Sequence, residues 1–207
     1  MFTYKVIDNF LHKDDFDILC SIKERENLLK IERVTDINTT DINGNVTASG
    51  WLEAEFIKKL YDNYHNRAIE LLTELAPEKI KLIDYLLIEN GQTGSHHVRR
   101  IHRDGERNLL GIVIYIKPKI NKGTFLYDHK LVDPHKLPTS FDKKYAIEIE
   151  WKPNRALVFS RSSESLHSFE GDKKNTRFTL AMFYHQKMPF SQSFRQIMPD
   201  RPDNSRK

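Results

Sequence analysis

Three side chains hold the chemistry in this sequence: His102 and Asp104 in Ile101-His102-Arg103-Asp104, and His167 in Leu166-His167-Ser168-Phe169. On an extended chain side chains alternate, so His102 and Asp104 project to one side and Arg103 to the other. An imidazole and a carboxylate two positions apart on one side can chelate a single cation. Taken alone, His-x-Asp is usually a surface pair, and His167 alone would be a half-buried histidine with one hydrogen bond. Together, two histidines and one aspartate from separate strands make the facial ligand set that leaves three positions open on non-haem Fe(II). Those positions can take a bidentate co-substrate and dioxygen.

A fourth residue belongs with them. Arg177 follows His167 by ten positions, across the turn-like Glu170-Gly171-Asp172-Lys173-Lys174-Asn175. If the chain reverses around Asp172, residues 167 and 177 are symmetric about it and face a common space, whether their strands pair or lie in opposed sheets. An arginine there can hold a carboxylate through two parallel hydrogen bonds at the far end of a pocket. The apolar run from Phe178 to Phe183 places Arg177 at the start of a buried strand and argues against an exposed ion pair.

Four further histidines compete as ligands. His96 and His97 are adjacent and would point to opposite faces of a strand, so they are read as a loop at the pocket rim. His129 and His135 fall in the long Pro-, Asp- and Lys-rich connection 128–144, a length typical of lids. Neither pair displaces His102 and His167. Asn90, Thr93, Arg99, Arg100, Arg161 and the 128–144 connection are candidate contacts for an acceptor molecule.

The elements that must position these residues follow from periodicity. Residues 3–7 read as a strand and 13–29 as a helix with Phe16, Leu19, Cys20, Lys23 and Leu28 along its stripe. The segment 34–49 is turn-rich, with a hairpin tip at Asp41-Ile42-Asn43-Gly44-Asn45. A long helix is expected from Trp51 to Leu75, with Phe56, Ile57, Leu60, Tyr61, Tyr64, Ala68, Leu71, Leu72 and Leu75 on one face and Pro77 as its stop. From Ile80 onward come short β-type runs: Ile80–Ile88, Leu109–Ile116, Gly123–Tyr127, Ala146–Trp151, Arg155–Phe159, Leu166–Phe169 and Arg177–Tyr184. Turns are expected at Asn90-Gly91, Asn121-Lys122-Gly123, Lys152-Pro153-Asn154 and Gly171-Asp172. Two or three helices followed by seven or eight strands predict a sandwich or barrel with helices on one face.

Composition narrows the class. The chain has 207 residues, 39% hydrophobic, 30% charged and 11% aromatic, a globular balance too apolar for disorder. Its longest apolar run, Leu109 to Ile116, is far shorter than the ~20 residues of a bilayer span. The opening residues lack the charged start and apolar stretch of a signal peptide, and the single cysteine, Cys20, forms no internal disulfide. The expected location is cytoplasmic. Of the net charge of +4, residues 195–207 supply half, and no basic stripe is interleaved with aromatics, so neither nucleic acid nor membrane is an expected partner.

His102-x-Asp104, then His167, then a basic residue ten positions on, resembles the iron- and 2-oxoglutarate-dependent dioxygenases, particularly their prolyl 4-hydroxylase-like branch. Ile7-Asp8-Asn9-Phe10-Leu11 is similar to the start of many such domains. Tyr115 matches a tyrosine that contacts the co-substrate in relatives. Gly123-Thr124-Phe125-Leu126-Tyr127 resembles the strand after a Gly-Gly pair, here Lys122-Gly123, and Ala156–Ser160 resembles the strand before the distal histidine. The resemblance covers about residues 4–187. It implies a mainly β double-stranded β-helix (jelly-roll) core over about 79–187, helical support over about 10–77, and one dioxygenase domain over 1–194 with a flexible tail at 195–207. It further implies Fe(II) on His102, Asp104 and His167, and 2-oxoglutarate with its far carboxylate on Arg177 and the Tyr115 hydroxyl; ascorbate is an optional addition. The implied reaction is C–H hydroxylation with release of succinate and CO2, in a monomer or homodimer. The acceptor is a prolyl residue first and a small metabolite second. The rival readings are a jelly-roll binding or structural module without redox activity, and a cupin-like metal oxygenase that has no need of Arg177.

Overall fold

The computed structural model describes residues 2–128 and 146–187. Its strands are β1 (Tyr4–Ile7), β2 (Arg33–Asp41), β3 (Val46–Ala48), β4 (Ile83–Thr93), β5 (Val98–His102), β6 (Asn108–Lys117), β7 (Thr124–Tyr127), β8 (Ala146–Ile149), β9 (Ala156–Ser160), β10 (His167–Glu170) and β11 (Arg177–Gln186). Two α-helices, α1 (Lys13–Ser21) and α2 (Ala54–Leu75), and a 3-10 helix (Pro77–Leu82) precede β4. The strands form two antiparallel sheets. The larger has the order β1-β9-β6-β11-β4-β2-β3 and the smaller β5-β10-β7-β8. This is the jelly-roll arrangement the resemblance implies.

The larger sheet is double-sided, and its alternation decides what faces the site. Leu180, Met182 and Tyr184 of β11, Leu86 and Ile88 of β4, and Leu110, Ile112 and Ile114 of β6 pack in one core with Ile57, Leu60, Tyr64, Ala68 and Leu72 of α2. The intervening residues of the same strands, among them Tyr85, Leu87, Glu89, Val113, Thr179, Ala181 and Phe183, line a cavity on the opposite face. A one-residue slip of β11 would exchange these two sets, so burying the helices fixes which side chains reach the cavity.

Several boundaries differ from those the sequence predicts. The first helix ends at Ser21 instead of residue 29, because Lys23-Glu24-Arg25-Glu26-Asn27 offers no apolar side chain to extend its stripe; these five are exposed. Asn90-Gly91 is not a turn. Both lie inside β4, where Asn90 pairs with Asp36 and Leu180 and Gly91 with Thr35 and Thr179; pairing on both sides overrides local turn preference. Residues 80–82 are 3-10 helix rather than strand. The turn-rich segment 34–49 is largely the β2–β3 hairpin, and its tip falls where expected. There the Asp41 carboxylate accepts the backbone N–H groups of Asn43 and Asn45, and Gly44 takes φ +80°. A Cβ on Gly44 would lie 2.4 Å from the Tyr61 ring, so only glycine fits.

Candidate metal centre

His102 ends β5 and His167 opens β10, and the two residues are direct partners across the smaller sheet. Their rings tilt together with centroids 4.3 Å apart. Asp104 follows β5 and turns its carboxylate to both: Oδ1 lies 3.9 Å from His102 Nε2 and 3.5 Å from His167 Nε2. One ligand atom from each residue lies within 4.8 Å of the others.

The hydrogen bonds behind these atoms set their chemistry. His102 Nδ1 lies 2.9 Å from the Arg100 carbonyl, and His167 Nδ1 lies 3.1 Å from the Ser165 carbonyl. A carbonyl only accepts, so each Nδ1 carries the hydrogen and each Nε2 presents a lone pair. Asn108 Nδ2 donates to Asp104 Oδ2 at 2.9 Å, leaving Oδ1 facing the imidazoles. Two lone pairs and a carboxylate oxygen converging in a half-buried space repel one another unless a cation sits between them. The donor set therefore fits a divalent transition metal held by two imidazoles and one carboxylate. Burial pushes His102 down to about 3, with His167 and Arg99 acting in the same direction. For Asp104 burial acts upward, but its surroundings, including the hydrogen bond from Asn108, hold its carboxyl below the usual range. Both groups are thus in their ligating forms at neutral pH.

These residues open onto a cavity of about 930 Å³ between the sheets. Arg177 lines the same cavity from β11, across the turn at Gly171–Asn175 where the Asp172 carboxylate accepts the N–H groups of Lys174 and Asn175. Only 2% of Arg177 is exposed. Its guanidinium donates to the Gly123 carbonyl at 3.4 Å and Thr124 Oγ1 at 3.3 Å, both long, and among the described residues no acid pairs with it. The rings of Phe169, Trp151 and Tyr115 surround it at 4.4, 5.0 and 5.5 Å, partly replacing water. Burial still lowers it to about 10. A buried guanidinium without a counter-charge is costly, and a ligand carboxylate in the cavity would offset that cost.

Tyr115 is wholly buried behind Arg177. Its hydroxyl donates to Thr124 Oγ1 at 2.9 Å and lies 3.4 Å from the Ile149 carbonyl, whereas Thr124 itself faces the cavity. Thr124 and Asn108 are thus site residues the sequence reading missed. Asn108 stands four positions after Asp104, and Thr124 follows a glycine whose added Cβ would meet the Ile149 carbonyl at 1.7 Å.

Among the acceptor candidates, Thr93 and Arg99 line the cavity, while Arg100 and Arg161 do not. Asn90 is corrected: as an even-numbered residue of β4 it points to the helix side with Leu86 and Ile88 and is buried there. His96 and His97 lie in the β4–β5 connection; His97 bonds the Ile31 carbonyl through Nδ1 and stacks on Phe169. His129, His135 and the tail at 195–207 fall outside the described residues, as does the 128–144 connection apart from Asp128.

No family model matches the chain, and no curated protein matches it. Solved structures do. A prolyl-4-hydroxylase from Pseudomonas putida aligns over 90% of this chain and 94% of its own, at 15% identity and TM-score 0.53. A prolyl hydroxylase from Trichoplax adhaerens, in complex with a hypoxia inducible factor peptide fragment, aligns over 95% and 84%, at 14% and 0.52. EvdO2 from Micromonospora carbonacea, complexed with 2-oxoglutarate, aligns over 89% and 86%, at 9% and 0.57. At these identities the likeness establishes a shared jelly-roll fold. Among the described residues no helix is long and apolar enough to cross a membrane.

Proposed function

We propose that the protein is an Fe(II)- and 2-oxoglutarate-dependent dioxygenase that hydroxylates a C–H bond, releasing succinate and CO2. One observation carries this reading: the His102–Asp104–His167 cluster and the buried Arg177, without an acid partner among the described residues, share one cavity. The fold shared with a structure that holds 2-oxoglutarate supports it. His102, Asp104 and His167 would hold Fe(II), which when bound supplies dioxygen activation.

The chain's own residues do the rest. The Arg100 and Ser165 carbonyls hold both imidazoles in the ligating tautomer, and Asn108 orients the carboxylate. Arg177 grips the far carboxylate of 2-oxoglutarate. Tyr115, named from sequence for the same contact, acts in this proposal through Thr124, whose oxygen receives both the Tyr115 hydroxyl and the Arg177 guanidinium. Phe159, packed on His167 at 5.1 Å, and Leu157 keep water from the metal side of the cavity. A buried arginine that meets no acid among the described residues is what a keto-acid enzyme needs. It is an unexplained cost in a cupin-like oxygenase or a structural jelly roll.

For the acceptor, a prolyl residue is supported by the peptide-bound fold neighbour, and a small metabolite is the alternative. The deciding test adds Fe(II), 2-oxoglutarate and dioxygen to purified protein and counts succinate. Turnover that requires both Fe(II) and 2-oxoglutarate supports the proposal; its absence under every acceptor tried, together with no 2-oxoglutarate binding, removes it.

A further inference from the structure

Besides Arg177, the cavity is lined by Arg33, Arg99, Arg107 and Lys187, which neither the metal nor the co-substrate uses. Arg99, on β5 three positions before His102, lines the cavity beside the metal ligands. Its exposed side chain makes one hydrogen bond among the described residues, from Nε to His102 Nε2 at 3.5 Å, and no ion pair, although its charge reaches Glu89. That acceptor is the lone pair a metal would take, so on the function proposed above Arg99 gives up this side-chain hydrogen bond when the metal binds.

The neighbouring arginine is already matched. Arg33 Nη2 pairs with Glu89 Oε1, and the pair lies over Gly91: a Cβ there would be 3.8 Å from the Glu89 oxygen and 3.9 Å from the Arg33 nitrogen. Arg33 pairs with Glu89, Arg177 is reserved for the keto acid, Arg107 has contacts of its own, and Lys187 lies past the end of β11, which leaves Arg99 as the guanidinium beside the metal ligands without an acid of its own among the described residues.

We infer that Arg99 seats a carboxylate of the acceptor, and that the acceptor is a small organic acid with an apolar body. The guanidinium fork suits a carboxylate held by two hydrogen bonds. The apolar requirement comes from the floor opposite: Leu87, Ala181 and Phe183 face the cavity on adjacent strands, with Phe183 registered against Leu87 and Ala181 against Glu89. A molecule anchored on Arg99 would lay its body along this floor, next to the metal cluster. The inference rests on the proposed dioxygenase function and narrows its two acceptor classes to one.

The test is anaerobic calorimetry on wild-type protein saturated with Fe(II) and 2-oxoglutarate, so that Arg177 is occupied. Hexanoate, phenylacetate and N-acetyl-leucine are each titrated against their primary amides. The acids should bind at least about tenfold more tightly than the amides, the scale of a charge-assisted contact. Arg99→Gln should erase that preference and Arg99→Lys should keep part of it. Acids and amides bound equally, no acid bound at all, or a preference that survives Arg99→Gln would each overturn the assignment. The preceding 2-oxoglutarate titration separates the two levels of the argument: if that step shows no binding, the dioxygenase reading fails and carries this inference with it.

Discussion

His167 and Arg177, ten residues apart in sequence, stand on opposite walls of one cavity. His167 opens β10 in the four-stranded sheet, Arg177 opens β11 in the seven-stranded sheet, and the Gly171–Asn175 turn carries the chain from one sheet to the other. One short connection therefore fixes the distance between the proposed metal ligand and the proposed carboxylate-binding group. The spacing works as a ruler for a small molecule that must reach both.

Arg177→Ala should weaken 2-oxoglutarate binding far more than Fe(II) binding. Losing a charge-assisted contact in a buried pocket costs on the order of 2–5 kcal/mol, roughly a thirtyfold to several-thousandfold rise in Kd. Arg177→Lys should fall between, keeping the charge and losing the fork. Anaerobic titration with Fe(II) present measures both. An unchanged Kd in Arg177→Ala would take the keto acid out of the proposal.

Replacing His102, Asp104 or His167 by alanine should abolish metal binding while the protein still melts cooperatively. A finer probe is Asn108→Ala, which removes the hydrogen bond that orients Asp104 and leaves all three ligands in place. Loss of such an outer contact lowers metal affinity by about tenfold or more. If His167→Ala binds iron as tightly as wild type, another histidine is the ligand.

The convergence of His102, Asp104 and His167 was legible because two local signals, each weak alone, coincide: His-x-Asp needs only an extended chain, and the Asp172 turn needs only its own polar residues. What stayed hidden depends on contacts between distant segments. Nothing near Asn90-Gly91 reveals that β2 and β11 will flank it and hold it straight. The pairing of Arg33 with Glu89 likewise requires knowing that β2 lies beside β4. The helix ending at Ser21 was misjudged because a stripe was extended through Lys23 across a run that buries nothing. Tyr115 was placed on the right strand, yet alternation and burial turn its hydroxyl to Thr124.

Acid should destabilise the metal-free protein before its carboxylates titrate. His102 is lowered to about 3 and His185 to about 4, mainly by burial, whereas an unfolded histidine titrates near 6.5. Between those values the unfolded chain binds more protons than the folded one, so stability rises with pH across that window and is lost as pH falls through it. Each group contributes a slope of about 1.4 kcal/mol per pH unit at most. Thermal melts of metal-free protein should show Tm falling from pH 6.5 toward pH 4, less steeply in His185→Gln. A flat Tm over that range would mean the two imidazoles are not held neutral by burial.

Tyr115→Phe should impair co-substrate binding modestly, and only through Thr124. The hydroxyl donates to Thr124 Oγ1, and the same oxygen accepts from Arg177 Nη2. Removing the phenol leaves that oxygen one donor short and loosens the group that steadies Arg177, a loss of about 1 kcal/mol in 2-oxoglutarate affinity. Thr124→Val should cost a similar amount, since it breaks both bonds at their shared atom. The double variant should then be little worse than either single one, because residues acting through one atom are not additive. A full double-mutant cycle on 2-oxoglutarate Kd distinguishes the routes. Additive losses would show that the Tyr115 hydroxyl reaches the keto acid by itself, as the family resemblance implies; non-additive losses would leave Thr124 as the contact.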